Sequence, residues 1–129
     1  CKLFQIWIIP NKKNLKPHYE QISVENNIGE NIIIDSSNTE NNKLFINQDI
    51  SLWRCKYKSI KDKNLSSIIK KFNWIQIIDG GLMLRDKYLS SDIYLSSGDG
   101  LGFEVINPQK LFIESKKGVD FLLFSMPDL

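Results

Sequence analysis

The chain has 129 residues, a hydrophobic fraction of 42%, a charged fraction of 25% and a formal charge of +2 at neutral pH. That length and balance describe one ordinary globular domain, neither disordered nor strongly polyanion-seeking. Alanine is absent and isoleucine, asparagine and lysine abound, so the best helix former is missing while β-branched residues are plentiful, and the chain leans towards strands.

In chain order, Leu3 to Ile9 reads as an apolar strand stopped by Pro10, followed by an extended polar segment through Pro17 to Gln21. Asn26 to Asn31 reads as a turn, Ile32-Ile33-Ile34 as a short buried strand and Asp35 to Asn42 as a loop. Leu44-Phe45-Ile46 begins a strand that resumes at Ile50 and runs to Lys58. Within it Trp53, Cys55 and Tyr57 share one face, and Arg54, Lys56 and Lys58 the other. Lys61 to Asn64 is expected to close a hairpin, with Leu65 to Ile69 and Trp74 to Ile78 as the next strands.

Asp79-Gly80 is a turn signal before Leu82-Met83-Leu84, and Arg85-Asp86-Lys87 turns again. Ser96 to Gly100 is a tight turn ahead of Leu101 to Ile106. Leu111 to Glu114, a turn at Lys116-Lys117-Gly118, and Phe121 to Phe124 complete the run. Short strands with turns every several residues predict an all-β sandwich or barrel in one domain, 1–129, with little or no helix. Periodicity alone does not choose among an immunoglobulin-like sandwich, a lipocalin-like barrel and a jelly roll.

Candidate chemistry is sparse. A catalytic centre rich in nitrogen ligands needs several imidazoles, and the chain has one histidine, His18, between Pro17 and Tyr19 in an extended segment. Cys1 and Cys55 form no metal-type spacing and no disulfide framework. Cys55 reads as a small buried hydrophobe. Cys1 stands where a lipidated cysteine would, but a strand follows at once instead of a polar tether, so the chain reads as part of a longer protein. No stretch approaches the roughly 18 apolar residues of a membrane helix, and an intracellular, cytoplasmic protein is the expectation.

Glu20, Asp35, Asp49, Asp92, Asp99 and Glu104 are scattered over loops and read as solvated or turn-capping groups. Gly98-Asp99-Gly100-Leu101-Gly102 lacks the following Lys-Ser/Thr of a phosphate loop and reads as a β-turn. Residues 20–49 are acidic, and 54–71 carry seven cations from Arg54 to Lys71 against Asp62. With so small a net charge, the basic stretch reads as a solvated hairpin rather than a nucleic-acid face. Trp7, Trp53 and Trp74 sit within predicted strands, where core packing outweighs lining a ligand cavity. Any ligand is expected in a small apolar cavity inside the barrel.

An ordered set of blocks carries a resemblance. These are Leu3-Phe4-Gln5-Ile6-Trp7-Ile8 with Pro10 and Pro17-His18-Tyr19-Glu20-Gln21, Asn47 to Arg54, Trp74 to Gly80, Ser97 to Leu101, and Leu122 to Pro127. Together they resemble the second cupin domain of pirin-like bicupin proteins, from an LQIWI-type strand to a terminal L-L-F-D-L-P. The resemblance implies a cupin-type jelly-roll barrel and a preceding metal-bearing N-terminal cupin as partner. It also implies a family associated with quercetin 2,3-dioxygenase activity and, in some members, transcriptional regulation. Its metal site lies in the first cupin, and the histidine of the family's HQD stretch is Asn47 here. No residue of this chain is therefore assigned a catalytic, cofactor or metal role. Two functions stay open: a non-catalytic partner domain, or a freestanding small-ligand module. With the preceding domain missing, residues 3–9 and Trp7 are expected to be partly exposed or paired with another chain, including a second copy.

Overall fold

The computed structural model describes residues 4–7, 13–14, 28–35, 44–45, 49–86, 92–105 and 110–126. Apart from a 3-10 position at Lys110 their regular structure is β, with no α-helix among them. In chain order the strands are β1 (Gly29–Asp35), β2 (Leu44–Phe45), β3 (Ser51–Tyr57), β4 (Ile60–Asn64) and β5 (Phe72–Asp86). They continue with β6 (Asp92–Ser96), β7 (Gly100–Glu104), β8 (Leu111–Ser115) and β9 (Val119–Met126).

Everything turns on β5. Its first half, from Phe72 to Gly80, pairs antiparallel with β9 on one side and β7 on the other. Its second half, Gly81 to Asp86, pairs with β6 and β8. The first sheet runs β2-β1-β3-β9-β5-β7 and the second β6-β5-β8-β4, so one strand belongs to both. All pairings are antiparallel except β1 with β2. The result is a curled antiparallel barrel of cupin type.

Alternation builds the core. Along β9, Val119, Phe121, Leu123 and Ser125 point inward and are buried. Asn73, Ile75 and Ile77 of β5 and Cys55 and Tyr57 of β3 meet them. Leu82, Leu84 and Ile113 extend the same layer into the second sheet. Phe121, Leu123, Ile75, Ile77 and Cys55 are fully shielded from solvent. Burial of each large apolar side chain stabilises by about 1.5–3 kcal/mol, so this layer rather than any local propensity holds the sheets together.

Several sequence expectations are corrected. Asp79-Gly80 is not a hairpin turn but a bend inside a continuous β5. The register shifts between Ile77 and Asp79, and Gly80 takes φ +90, so the bulge lets the strand leave one sheet and enter the other. Arg85 and Asp86 likewise lie in β5. Lys61 to Asn64 is strand β4, paired with β8, where the positive φ of Asp62 marks an irregular register. Gly29 to Asn31 belong to β1 rather than to a turn.

Leu65 to Ile69 is not a strand. Ile68 and Ile69 donate their N–H groups to the Leu65 carbonyl, which makes a turn that drops three apolar side chains into the core. Two interior polar side chains hold it there. Ser125 donates to the Ile68 carbonyl at 2.7 Å, and Asn73 closes a two-way bond with the Lys70 backbone at 2.8 and 3.1 Å. At the start of the chain, residues 4–7 make no strand pairing; the rest of the predicted opening strand lies outside the described residues.

Candidate functional site

The face of the first sheet turned away from the core is also apolar, which a half-solvated sheet does not require. Register places Leu52, Phe124 and Trp74 in one row across β3, β9 and β5, and Arg54, Leu122 and Gln76 in the next. Leu52 and Leu122 are buried although they point outward. Against this face lies the segment Phe4-Gln5-Ile6-Trp7. Together the two line an open groove of about 630 Å³, to which Ile50, Trp74, Leu122, Phe124 and Met126 contribute.

Trp74 is the most constrained side chain there. Its ring lies on the backbone of β7, where a Cβ added to Gly100 would stand 2.6 Å from its Cζ2 and one added to Gly102 would stand 3.0 Å from its Cε3. A Cβ at Gly100 would force the indole to shift, and one at Gly102 would press it by a few tenths of an ångström. Trp74 Nε1 donates to Gln76 Oε1 at 3.4 Å, and Gln76 Nε2 donates onward to the carbonyls of Gly98 and Asp99 at 3.1 and 3.2 Å. The indole is held flat, yet Trp74 remains 42% exposed and Trp7 86% exposed.

Charges on the first sheet and its flanking segments are matched in pairs. Arg54 grips Asp120 with two bonds, at 3.2 and 2.8 Å. That carboxylate, ahead of the opposing effect of burial, raises the guanidinium further above its usual range. Lys70 meets Asp49 at 2.9 Å and Lys71 reaches Glu104 at 3.9 Å. Lys63 meets Glu30 at 3.3 Å. Arg54, Lys63, Lys70 and Lys71 of the basic stretch 54–71 thus fold onto acids on other strands and loops, two of them, Glu30 and Asp49, from the acidic segment.

At the other end of the first sheet, Glu30, Cys55 and Tyr57 gather inside the barrel near Lys63. Burial, with help from the Glu30 and Asp120 charges, pushes the Cys55 thiol far up. Burial does the same to the Tyr57 phenol, again with Glu30 adding to it. The Tyr57 hydroxyl stands near the Glu30 carboxylate without completing hydrogen-bond geometry. Burial alone would raise Glu30, but Tyr57, the residue's own backbone and Lys63 outweigh it and hold the carboxyl below its ordinary value. A thiol so placed is an inert core residue, as its position in the strand predicts.

Other predicted positions are placed as follows. Asp99 accepts from the Ser96 N–H at 2.9 Å and its own N–H donates to the Ser96 carbonyl, so Ser96 to Asp99 is the expected turn and Gly100 already starts β7. Asp92 pairs with Arg85, and Asp35 accepts from Ser51. No group of three or more His, Cys, Asp or Glu that could hold a metal occurs among the described residues. His18, Glu20, Cys1 and Asn47 lie outside the described residues.

Two expectations fail. The tryptophans do not all pack in the core: Trp74 is exposed, Trp7 is exposed as its place in residues 3–9 predicts, and only Trp53 packs against the core. The groove lies outside the barrel, because the interior is filled by Ile75, Ile77, Ile113, Phe121 and Leu123. The Gly-x-Gly spacing of Gly100 and Gly102 was the overlooked signal. Two glycines on one face of a strand leave a flat seat for an aromatic ring on the neighbouring strand.

The family model described as the quercetinase C-terminal cupin domain matches residues 33–126. The quercetin 2,3-dioxygenase of Escherichia coli K12 is 27% identical over 127 residues, covering 97% of this chain and 50% of that protein. A Pasteurella multocida protein named for quercetin 2,3-dioxygenase activity is 30% identical over 126 residues, again across 50% of its length. The chain thus spans about half the length of the curated relatives it matches. Among solved structures, the nickel(II) complex of a bacterial pirin from Escherichia coli superposes with a TM-score of 0.77 at 22% identity, over 95% of this chain and 49% of that one. A cupin superfamily protein from Desulfitobacterium hafniense superposes at 0.52 and 14% identity, over 90% of this chain and 97% of its own.

Proposed function

The chain belongs to the quercetinase C-terminal cupin family, and from that membership we propose that it is the non-catalytic half of a pirin-like bicupin. In this reading residues 1–129 form a single cupin domain that holds no transition metal and supports a preceding, metal-bearing cupin. That preceding half would perform the quercetin 2,3-dioxygenase-type chemistry for which the relatives are named. The observation that carries the reading is the match to a C-terminal domain over half the length of those relatives. The cytoplasm is the compartment that goes with it.

This chain's part in the reaction is mechanical. The barrel interior is occupied by apolar side chains and by a thiol and a phenol whose acidities are suppressed. Neither group supplies a base or nucleophile near neutral pH. What the fold offers instead is a rigid surface.

The test is activity by parts. The chain alone, loaded with nickel(II) or iron(II) and dialysed, is expected to retain no stoichiometric metal and to leave quercetin unchanged. Mixed with the cupin encoded ahead of it, it should raise that half's stability or turnover. Quercetin oxidation by the chain alone, abolished by a chelator, would overturn the reading. So would a genomic neighbourhood with no His/Glu cupin in or beside the same reading frame.

The runner-up is a freestanding module that takes a small ligand. The observation favouring it is the groove itself, whose size suits a drug-sized molecule. Native mass spectrometry of the purified chain would show such a ligand as a stoichiometric mass increment lost on denaturation.

A further inference from the structure

The second sheet carries a hollow of its own, about 490 Å³, a size that suits a small molecule. Leu82 and Leu84 point into the core, so Met83 and Arg85 of the same strand point away from it. Register sets Met83 between Tyr94 of β6 and Glu114 of β8, in one row across the outer face. All three line the hollow; Met83 is buried although it faces outward, whereas Tyr94 stands 73% exposed. One row back, Gly81 offers no side chain, and a Cβ built there would have only the Leu95 carbonyl oxygen within 4 Å, at 3.8 Å. That missing side chain keeps the space beside Met83 and Tyr94 open.

Four charged side chains complete the lining: Arg85, Glu114, Lys116 and Lys117. Arg85 is engaged by Asp92 at 3.1 Å and Asp62 at 3.9 Å. Lys116 and Lys117 are exposed, and among the described residues neither has an ion-pair or hydrogen-bond partner. Their turn is nonetheless fixed to β5. The buried Ser115 hydroxyl donates to the Gly81 carbonyl at 2.6 Å and accepts from the Gly118 N–H at 3.2 Å, while the Gly81 N–H donates to the Gly118 carbonyl at 3.4 Å. Two flexible ammonium groups on so firm a backbone can close on one anionic group. With Arg85 matched, two free cations against Glu114 leave one positive charge, which suits a monoanion better than a phosphate dianion. An exposed phenol ring beside a thioether favours a flat aromatic body. We infer that this hollow binds a small aromatic carboxylate, its ring on Tyr94 and Met83 and its carboxylate between Lys116 and Lys117. The site stands apart from the partner-domain reading, which survives whatever the outcome below.

The experiment titrates naphthoate into the isotope-labelled 129-residue chain and follows amide chemical shifts, with naphthamide as the uncharged isostere and naphthyl phosphate as the dianion. Saturable shifts are expected at Gly81, Tyr94, Lys116 and Lys117, with a Kd of about 1 mM or below. Naphthamide should bind about fivefold more weakly, and raising salt from about 0.05 M to about 0.5 M should weaken naphthoate about threefold. Lys116→Ser combined with Lys117→Ser should weaken naphthoate about fivefold and leave naphthamide unchanged. Tyr94→Ala should weaken both by about fivefold. Glu114→Gln should tighten naphthoate about twofold, a gain that a misfolded variant would not give. Equal affinity for naphthoate and naphthamide would overturn the inference, as would tighter binding of naphthyl phosphate. So would shifts centred on Leu122 and Phe124 in the first-sheet groove, or no saturable shift up to about 10 mM.

Discussion

Gly80 and Gly118 meet backbone to backbone where β5 bends between the two sheets: a Cβ on Gly80 would overlap the Gly118 carbonyl oxygen. Both glycines have positive φ, +90 and +108, and a Cβ on Gly118 would in turn stand 2.6 Å from the Lys58 carbonyl oxygen. The contact lets one strand serve two sheets. Gly98 has nearly the same φ, +89, but nothing within 4 Å of a built Cβ. Gly98→Ala should therefore cost only the left-handed backbone strain, about 1 kcal/mol, while Gly80→Ala should cost clearly more. Urea unfolding of both variants measures the difference; equal losses would mean the close approach is not what fixes the bend.

The turn at residues 65–70 hangs from Asn73 and Ser125. Asn73 is 2% exposed and satisfies both the N–H and the carbonyl of Lys70. Asn73→Ala should destabilise by about 1–3 kcal/mol, since it leaves buried backbone groups without partners. In hydrogen exchange the Lys70 amide should lose protection before the β9 ladder does. Uniform loss across the sheet would argue against a local role.

Glu30 links stability to acid. Its carboxyl is held below its ordinary value in the folded chain, so its contribution is present above the unfolded value of about 4.3 and is lost as pH falls through the folded one. Glu30→Gln should lower the urea midpoint near about pH 7, and the gap from the parent should close towards about pH 3. A gap that stayed constant with pH would show that the charge is not what stabilises.

Cys55 should be chemically silent. Burial raises its thiol far above neutrality and leaves it no exposed surface. In a Cys1→Ser background a thiol reagent should modify the native chain only as fast as it unfolds, and instantly in denaturant. Rapid modification of the native chain would contradict the packing around β3.

The helix share is a further check. Far-UV circular dichroism should be dominated by strand, well short of the third or so of helix in an average globular protein.

Local pattern was enough for much of this. Two-residue alternation identified β3, with Cys55 and Tyr57 inside, and the apolar runs located β8 and β9 within a residue or two. The ordered motif blocks gave the family, because a whole series of turns and strands is hard to match by chance. Where the reading failed, local chemistry and tertiary demand diverged. Asp79-Gly80 is a good turn dipeptide, yet pairing with β9 on one side and β8 beyond it makes it the elbow of a long strand. Leu65 to Ile69 is apolar enough for a strand, but Asn73 and Ser125 tie its backbone into a turn.

The candidate site was the least legible part. Alternation says that Trp74 faces away from Ile75, and no more; whether that face meets solvent, another strand or another domain depends on what packs there. The seat made by Gly100 and Gly102, the approach of residues 4–7 and ion pairs such as Arg54 with Asp120 are contacts between positions far apart in the chain. Periodicity within the chain therefore determined the strand-rich fold and its inward residues, since burying every second side chain is a local property of a strand, and the ordered motif blocks selected the barrel. Only the tertiary structure decided that the open apolar surface lies outside the barrel, because an outward row becomes a groove only when separate segments are brought together around it.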